Sequence, residues 1–179
     1  GFLIGLYYGG AGFGIVLSAL LVPATLTAAG SFGAAHGWQW AWLALGGACL
    51  LATLGMTAPV RHIPDAPLQS AVHGRFRIRS FGYGLAAYFM FGAGYIGYMT
   101  FVVALLKEQG MSAPMITLFY TMLGVAAMAS SRIWAGMLDY FKGGQSLAIL
   151  NGLLALATLL PALTAMPLVV FASGILFGG

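Results

Sequence analysis

Five stretches of this sequence, at residues 1–29, 38–56, 81–106, 115–138 and 147–166, are each apolar over some twenty residues or more. A helix rises about 1.5 Å per residue, so roughly 20 such residues cross the ~30 Å hydrocarbon core of a bilayer. A soluble fold would need a polar surface to cover them. Only 6% of this chain is charged and 61% is hydrophobic, where soluble domains are about 25% charged. Disorder fails for the opposite reason, because disordered chains are polar and charged. Transmembrane strands would alternate apolar and polar residues over segments of about ten, and that alternation is absent. The predicted fold is all-α, a polytopic transmembrane helical bundle.

A sixth apolar stretch starts at Pro167 and covers about two-thirds of a span. The chain opens at Gly1-Phe2-Leu3-Ile4 and closes at Ile175-Leu176-Phe177-Gly178-Gly179, inside apolar runs at both ends. It has no initiator Met, nor the basic start and cleavage site of a signal peptide. It is therefore expected to be an internal piece of a longer multi-span protein. Breakers mark the connections: Gly30-Ser31, Gly110-Met111-Ser112, Gly143-Gly144-Gln145 and Met166-Pro167.

Arginine and lysine set the sidedness. Residues 59–80 carry Arg61, Arg75, Arg77 and Arg79 against one Asp65, so by the positive-inside bias this connection is cytoplasmic. Counting outward, residues 30–37 lie outside without Lys or Arg. Lys107-Glu108 falls outside as a balanced pair, Asp139 and Lys142 fall inside, and residues 162–167 lie outside uncharged. The Arg75-Phe76-Arg77-Ile78-Arg79 run is expected to anchor the loop to anionic lipid headgroups.

Most other chemistry is excluded by position. There is no soluble basic face for nucleic acid. A single Cys49 rules out an intrachain disulfide or cysteine metal site. The carboxylates Asp65, Glu108 and Asp139 and the histidines His36, His62 and His73 all lie in loops or at helix ends. No acid pair, haem ligand or Ser/His dyad sits at mid-depth, and no phosphate-cradling glycine loop precedes a lysine. No enzymatic activity, metal or cofactor is expected. Gly82-Tyr83-Gly84 resembles part of a potassium filter, but Ser80-Phe81 precedes it and no pore helix is visible, which disfavours a channel.

Three features remain. In the first span Gly5, Gly9, Gly10 and Gly14 place small residues on shared faces, for tight packing or as a pivot between bundles. The third span sets Tyr88, Tyr95, Tyr98 and Thr100 among glycines. Tyr95 and Tyr98 lie near mid-depth, where a phenol must find a partner or water; interhelical bonding and ligand lining both answer that need. Arg132, the one formal charge well inside a span, lies seven residues before Asp139 on the same helix face. A structural or gating latch is expected there ahead of direct substrate contact.

These features together resemble the major facilitator superfamily of secondary transporters, within it the YbfB/YjiJ-like branch. Gly5-Leu6-Tyr7-Tyr8-Gly9-Gly10-Ala11-Gly12-Phe13-Gly14 is similar to the glycine-rich motif of that superfamily's fifth helix, without its Gly-Pro pair. Gly136-Met137-Leu138-Asp139-Tyr140-Phe141-Lys142-Gly143 is similar to the short cytoplasmic motif after the eighth helix, with Tyr140 at a usually basic place. Tyr95-Ile96-Gly97-Tyr98-Met99-Thr100 and Lys107-Glu108-Gln109-Gly110 carry the likeness to the branch.

The resemblance implies part of a twelve-helix fold in two six-helix halves. Residues 1–58 would be the last two helices of the N-terminal bundle, 59–80 the cytoplasmic interdomain loop, and 81–179 the first helices of the C-terminal bundle. It also implies a small-molecule substrate carried by alternating access in a bacterial inner membrane. Tyr88, Tyr95, Tyr98 and Thr100 would line the cavity and Arg132 and Asp139 would act as a gate. Any coupling to protons or another ion would run through helices beyond this stretch. The competing reading is a non-transporting membrane scaffold or anchor subunit.

Overall fold

The computed structural model describes residues 2–33, 35–61, 78–141 and 145–179, the side chains at 2–8, 78–81, 131 and 135–139 excepted. Among these residues six helices follow one another: α1 (Phe2–Ser31), α2 (Gly37–Val60), α3 (Ile78–Glu108), α4 (Ala113–Tyr140), α5 (Gln145–Leu163) and α6 (Pro167–Gly178). Among the described residues, five helical stretches are long and apolar enough to cross a bilayer, and α6 is a shorter apolar helix of 12 residues. The all-α transmembrane bundle expected from the sequence is what the chain forms.

Helix ends follow local chemistry. At the end of α3, Gly110 takes φ +79°. Its N–H then reaches the Lys107 carbonyl, and the Met111 N–H reaches that of Leu106. This closing pattern satisfies carbonyls that helix termination would orphan, and it requires the left-handed backbone that glycine allows. The fifth helix stops at Leu163, short of the expected Met166. Met166 is extended (ψ 119°) because the ring of Pro167 disfavours a helical residue before it. The fourth helix runs past its expected end, so Asp139 belongs to its last turn and not to a loop. The Pro59–Ser80 connection is shorter than expected at both ends: Pro59 and Val60 close α2, and α3 begins at Ile78. Arg61 is exposed just past α2 and Arg79 lies in the first turn of α3. Arg75, Arg77 and Lys142 lie outside the described residues.

Serine and threonine hydroxyls inside the spans bend back onto their own helix. Ser18, Thr25, Thr27, Thr53, Thr57, Thr121 and Ser130 each donate to a carbonyl three or four residues earlier. In hydrocarbon no water takes that bond, so the helix must.

Contacts divide the chain into two units, Gly1–Leu20 with Phe81–Gly179, and Leu21–Ser80. In the second, Gly37 at the start of α2 approaches Leu26 and Ala29 of α1, while much of α2 is exposed, Trp42 and Leu51 among it. An apolar exposed surface suits a lipid solvent. In the first unit the core comes from four helices: Tyr98, Val102 and Leu106 of α3, Phe119 and Leu123 of α4, Leu154 and Ala157 of α5, Val170 and Phe177 of α6. The short α6 sits against both α4 and α5. Its Val170, Ser173, Gly174 and Phe177 are all buried, one stripe at helical spacing.

Small residues decide where the backbones meet. A Cβ on Gly12 would lie 2.6 Å from both the Gly124 carbonyl oxygen and the Met128 nitrogen; one on Gly124 would lie 2.8 Å from the Gly12 carbonyl. Here α1 and α4 cross backbone to backbone. Of the glycines expected to pack, Gly9 faces the Met128 carbonyl at ordinary distance, whereas Gly10 and Gly14 open onto empty space, and Gly5 lies where only the backbone is described. Gly174 lies under the Phe119 ring and Gly178 over the Leu123 carbonyl, so the pair seats α6 on α4. Gly12→Val is expected to destabilise the purified protein in detergent by about 1–3 kcal/mol, as overpacking does. Gly10→Ala should leave the unfolding midpoint unchanged; equal losses would show that the crossing does not depend on Gly12.

Candidate functional site

The site grows from a proline. Pro161 lies inside α5 and has no N–H to give the Ala157 carbonyl four residues earlier. In a bilayer that carbonyl cannot turn to water. Ser173 of α6, fully buried, supplies the missing donor: its hydroxyl bonds the Ala157 oxygen at 2.7 Å. The Pro161 carbonyl has a matching difficulty, because the residue that would bond it, Ala165, lies past the end of α5. Gln109, just beyond α3, donates its Nε2–H to that oxygen at 2.8 Å. Two carbonyls that α5 leaves without helical donors are thus held by side chains from two other elements.

The proton order follows. Ser173 has one hydroxyl hydrogen and gives it to Ala157, so at the 2.8 Å contact between Tyr98 Oη and Ser173 Oγ the tyrosine donates. Tyr98, expected to line a cavity, is 7% exposed, bonded to Ser173 and stacked on Phe177 with ring centroids 4.0 Å apart. Its edge also borders a groove of about 480 Å³ between α3 and α5, where Gly94, Gly97, Phe101, Leu105, Glu108 and Pro161 take part in the lining. Among the described residues, the buried Oε1 of Gln109 has no hydrogen-bond partner.

The other tyrosines stand differently. Tyr95 is half-buried and stacks on Phe177 at 5.3 Å, whereas Tyr88 is 69% exposed. Phe91 joins them, 6.2 Å from Tyr88 and 6.1 Å from Tyr95. Tyr88, Phe91 and Tyr95 therefore share a face, as their spacing predicts, and Tyr98 joins them through Phe177. Thr100 is exposed and about 160° round the helix from Tyr98, so the structure does not bring it to that face. On α4, Tyr120 donates to the Met99 carbonyl at 3.3 Å, and the Trp134 indole N–H donates to the Gly179 carbonyl. Arg132 is exposed on α4; Asp139 follows on the same helix, in a stretch where only the backbone is described. Among the described residues no group of three His, Cys, Asp or Glu could hold a metal.

Sequence reasoning missed Ser173, Phe177 and the role of Gln109. A proline inside an apolar span was the available signal, since it leaves a carbonyl without its helical donor that another element can satisfy. Gly174-x-x-x-Gly178 was a second signal, at the small-residue spacing that marks close packing.

Ser173→Ala should cost about 1–3 kcal/mol, the usual loss when a buried polar group goes unpaired. In a Pro161→Ala background the same change should cost far less, because residue 161 then brings its own N–H to Ala157. A double-mutant cycle on unfolding in detergent checks this, and additive losses would dismiss the substitute-donor role.

Searches for similarity give one answer. Residues 1–179 match the family described as "Uncharacterised MFS-type transporter YbfB". No curated protein and no solved structure matches the chain. The match spans every helix described above, and the five membrane-length stretches agree with it. The chain is therefore a multi-pass integral membrane protein that belongs to the YbfB family of major-facilitator-type transporters.

Proposed function

We propose that the protein is a secondary transporter that moves a small solute by alternating access, with two bundles rocking about a site near the bilayer midplane. On this reading α1 and α2 close the N-terminal bundle and α3 to α6 open the C-terminal one. The connection between α2 and α3 lies in the cytoplasm, and the membrane is the inner membrane of a bacterium. The observation that carries the reading is the crossing of α1 and α4, where Gly12 and Gly124 bring backbone against backbone. Val16 lies on Gly124 and Met128 on Gly12, so the crossing is a small, close contact about which two bundles can tilt.

Tyr88 and Tyr95 face the solute, and Tyr98 both borders the site and ties α3 to α6. Arg132 and Asp139 stabilise one closed state at the cytoplasmic end of α4. No Asp or Glu lies within the spans away from their ends, so proton coupling would depend on an acid in another part of the transporter.

Alternating access has a labelling signature. In full-length protein with Cys49 replaced by serine, a cysteine at Tyr88 or Tyr95 should react with a membrane-impermeant maleimide. The side from which it reacts should change when the transported solute or an ion gradient is applied. A scaffold subunit without a cavity predicts no reaction from either side, and that result would overturn the proposal.

A further inference from the structure

The groove of about 480 Å³ between α3 and α5 has three polar side chains in its lining: Tyr98, Thr158 and Glu108. Two of them are already committed. Tyr98 donates its hydroxyl to Ser173, and Thr158 donates to the Ala155 carbonyl at 2.9 Å. The Pro161 carbonyl is taken by Gln109. A polar solute lying along this groove would give up its hydration for little in return. Glu108, at the end of α3, is exposed and is the one charged residue of the lining. Such walls suit a hydrocarbon stem that ends in a cationic group.

Depth and shape choose the stem. The lining follows α3 from Ala93 to Glu108, about 22 Å of helix, whereas half of a hydrocarbon core spans ~15 Å. A whole acyl chain of one leaflet fits within that length. Gly97 leaves the wall open, with nothing within 4 Å of a Cβ built there. Four residues on, Phe101 stands 69% exposed, a bulky ring where a close-packed helix needs a small residue. A flexible chain bends past such a ring, and a helix is held off by it.

Charge chooses the head. Lys107 precedes Glu108, and adjacent residues on a helix do not face each other. Neither side chain pairs with a described residue, so both charges stay open to a headgroup. Glu108 attracts an ammonium and repels a phosphate that comes alone; Lys107 does the reverse. A head that carries both answers both, and a primary ammonium also donates hydrogen bonds to the carboxylate. We propose that the groove is a lipid site for a phospholipid with a zwitterionic, primary-ammonium head. One acyl chain lies along Gly97 and Phe101, the ammonium meets Glu108, and the phosphate meets Lys107. The site is independent of which solute the transporter carries.

The probe is phosphatidylethanolamine with a diazirine near the end of one acyl chain, added in trace to full-length protein in phosphatidylcholine nanodiscs. Mass spectrometry of the cross-linked peptides is expected to find the label around Gly97 and Phe101. Unlabelled phosphatidylethanolamine should compete about fivefold better than phosphatidylglycerol, the reach of an exposed ion pair. Gly97→Leu fills the groove where space is open, and should remove most of the label while the unfolding midpoint holds. Equal competition by phosphatidylglycerol, or label unchanged in the leucine variant, would overturn the proposal.

Two further results would also refute it. Label spread evenly onto the exposed residues of α2 would mean bulk lipid only, and no label in the groove would mean that another helix of the transporter fills it. Glu108→Gln covers the case in which the leucine variant does not fold, because Glu108 is exposed at a helix end. It should abolish the preference for the ethanolamine head, and a preserved preference removes the assigned role of Glu108 and the site with it.

Discussion

A carbonyl deprived of its helical donor inside a bilayer must be answered by protein, and in this chain that demand organises the bundle's centre. Pro161 deprives Ala157, and Ser173 of α6 answers it. The bond fixes α6 in height and rotation against α5. It also uses Ser173's single proton, which makes Tyr98 the donor in the next link and fixes the face that α3 turns inward. Gln109 repeats the arrangement at the Pro161 carbonyl, so the end of α3 is tied to α5 as well. In water, a solvent molecule could meet each of these needs and the same proline would constrain nothing beyond its own helix.

Steric fit supplies what the hydrophobic effect supplies in soluble proteins. Lipid tails are as apolar as leucine, so helices gain from meeting only where they fit closely or share hydrogen bonds. Gly174 and Gly178 seat α6 against the Phe119 ring and the α4 backbone, and aromatic contacts and hydrogen bonds add to it. At Gly12 and Gly124 two backbones touch, with Met128 laid on the first glycine and Val16 on the second. Both crossings are built from glycine, but the hydrogen bonds and ring contacts that fasten α6 are particular to its own seat.

Much of the fold is legible in the sequence because the bilayer imposes a single long-range requirement, an apolar run of sufficient length. The five membrane-length helices follow from that alone. Their ends follow less well, because proline, glycine and the last turn of helix shift them by a few residues: α5 stops before Thr164, and α4 carries Asp139 beyond its apolar run. The glycine faces are legible only in kind. Spacing marks Gly10 and Gly14 as readily as Gly12, but a contact depends on which face a neighbour takes, and that is a tertiary fact. In the candidate site, the shared face of Tyr88, Phe91 and Tyr95 follows from helical period. The tie of Tyr98 to Ser173 does not, since the partners are 75 residues apart and are joined by the need of a third residue.

That tie separates two roles which the sequence leaves merged in a row of tyrosines. A ring whose hydroxyl is donated to a buried serine is positioned; one whose hydroxyl meets no described residue can still exchange partners. Tyr98 is of the first kind and Tyr88 and Tyr95 are of the second, although all three stand on one helix. A transporter needs both together: its solute must meet groups that let go, and those groups must be held at a defined depth by others that do not. In α3 the division runs along the helix itself, from the proline-anchored end near Pro161 to the open rings at Tyr88. On the proposed reading, the element that binds is thereby the same one that is fastened.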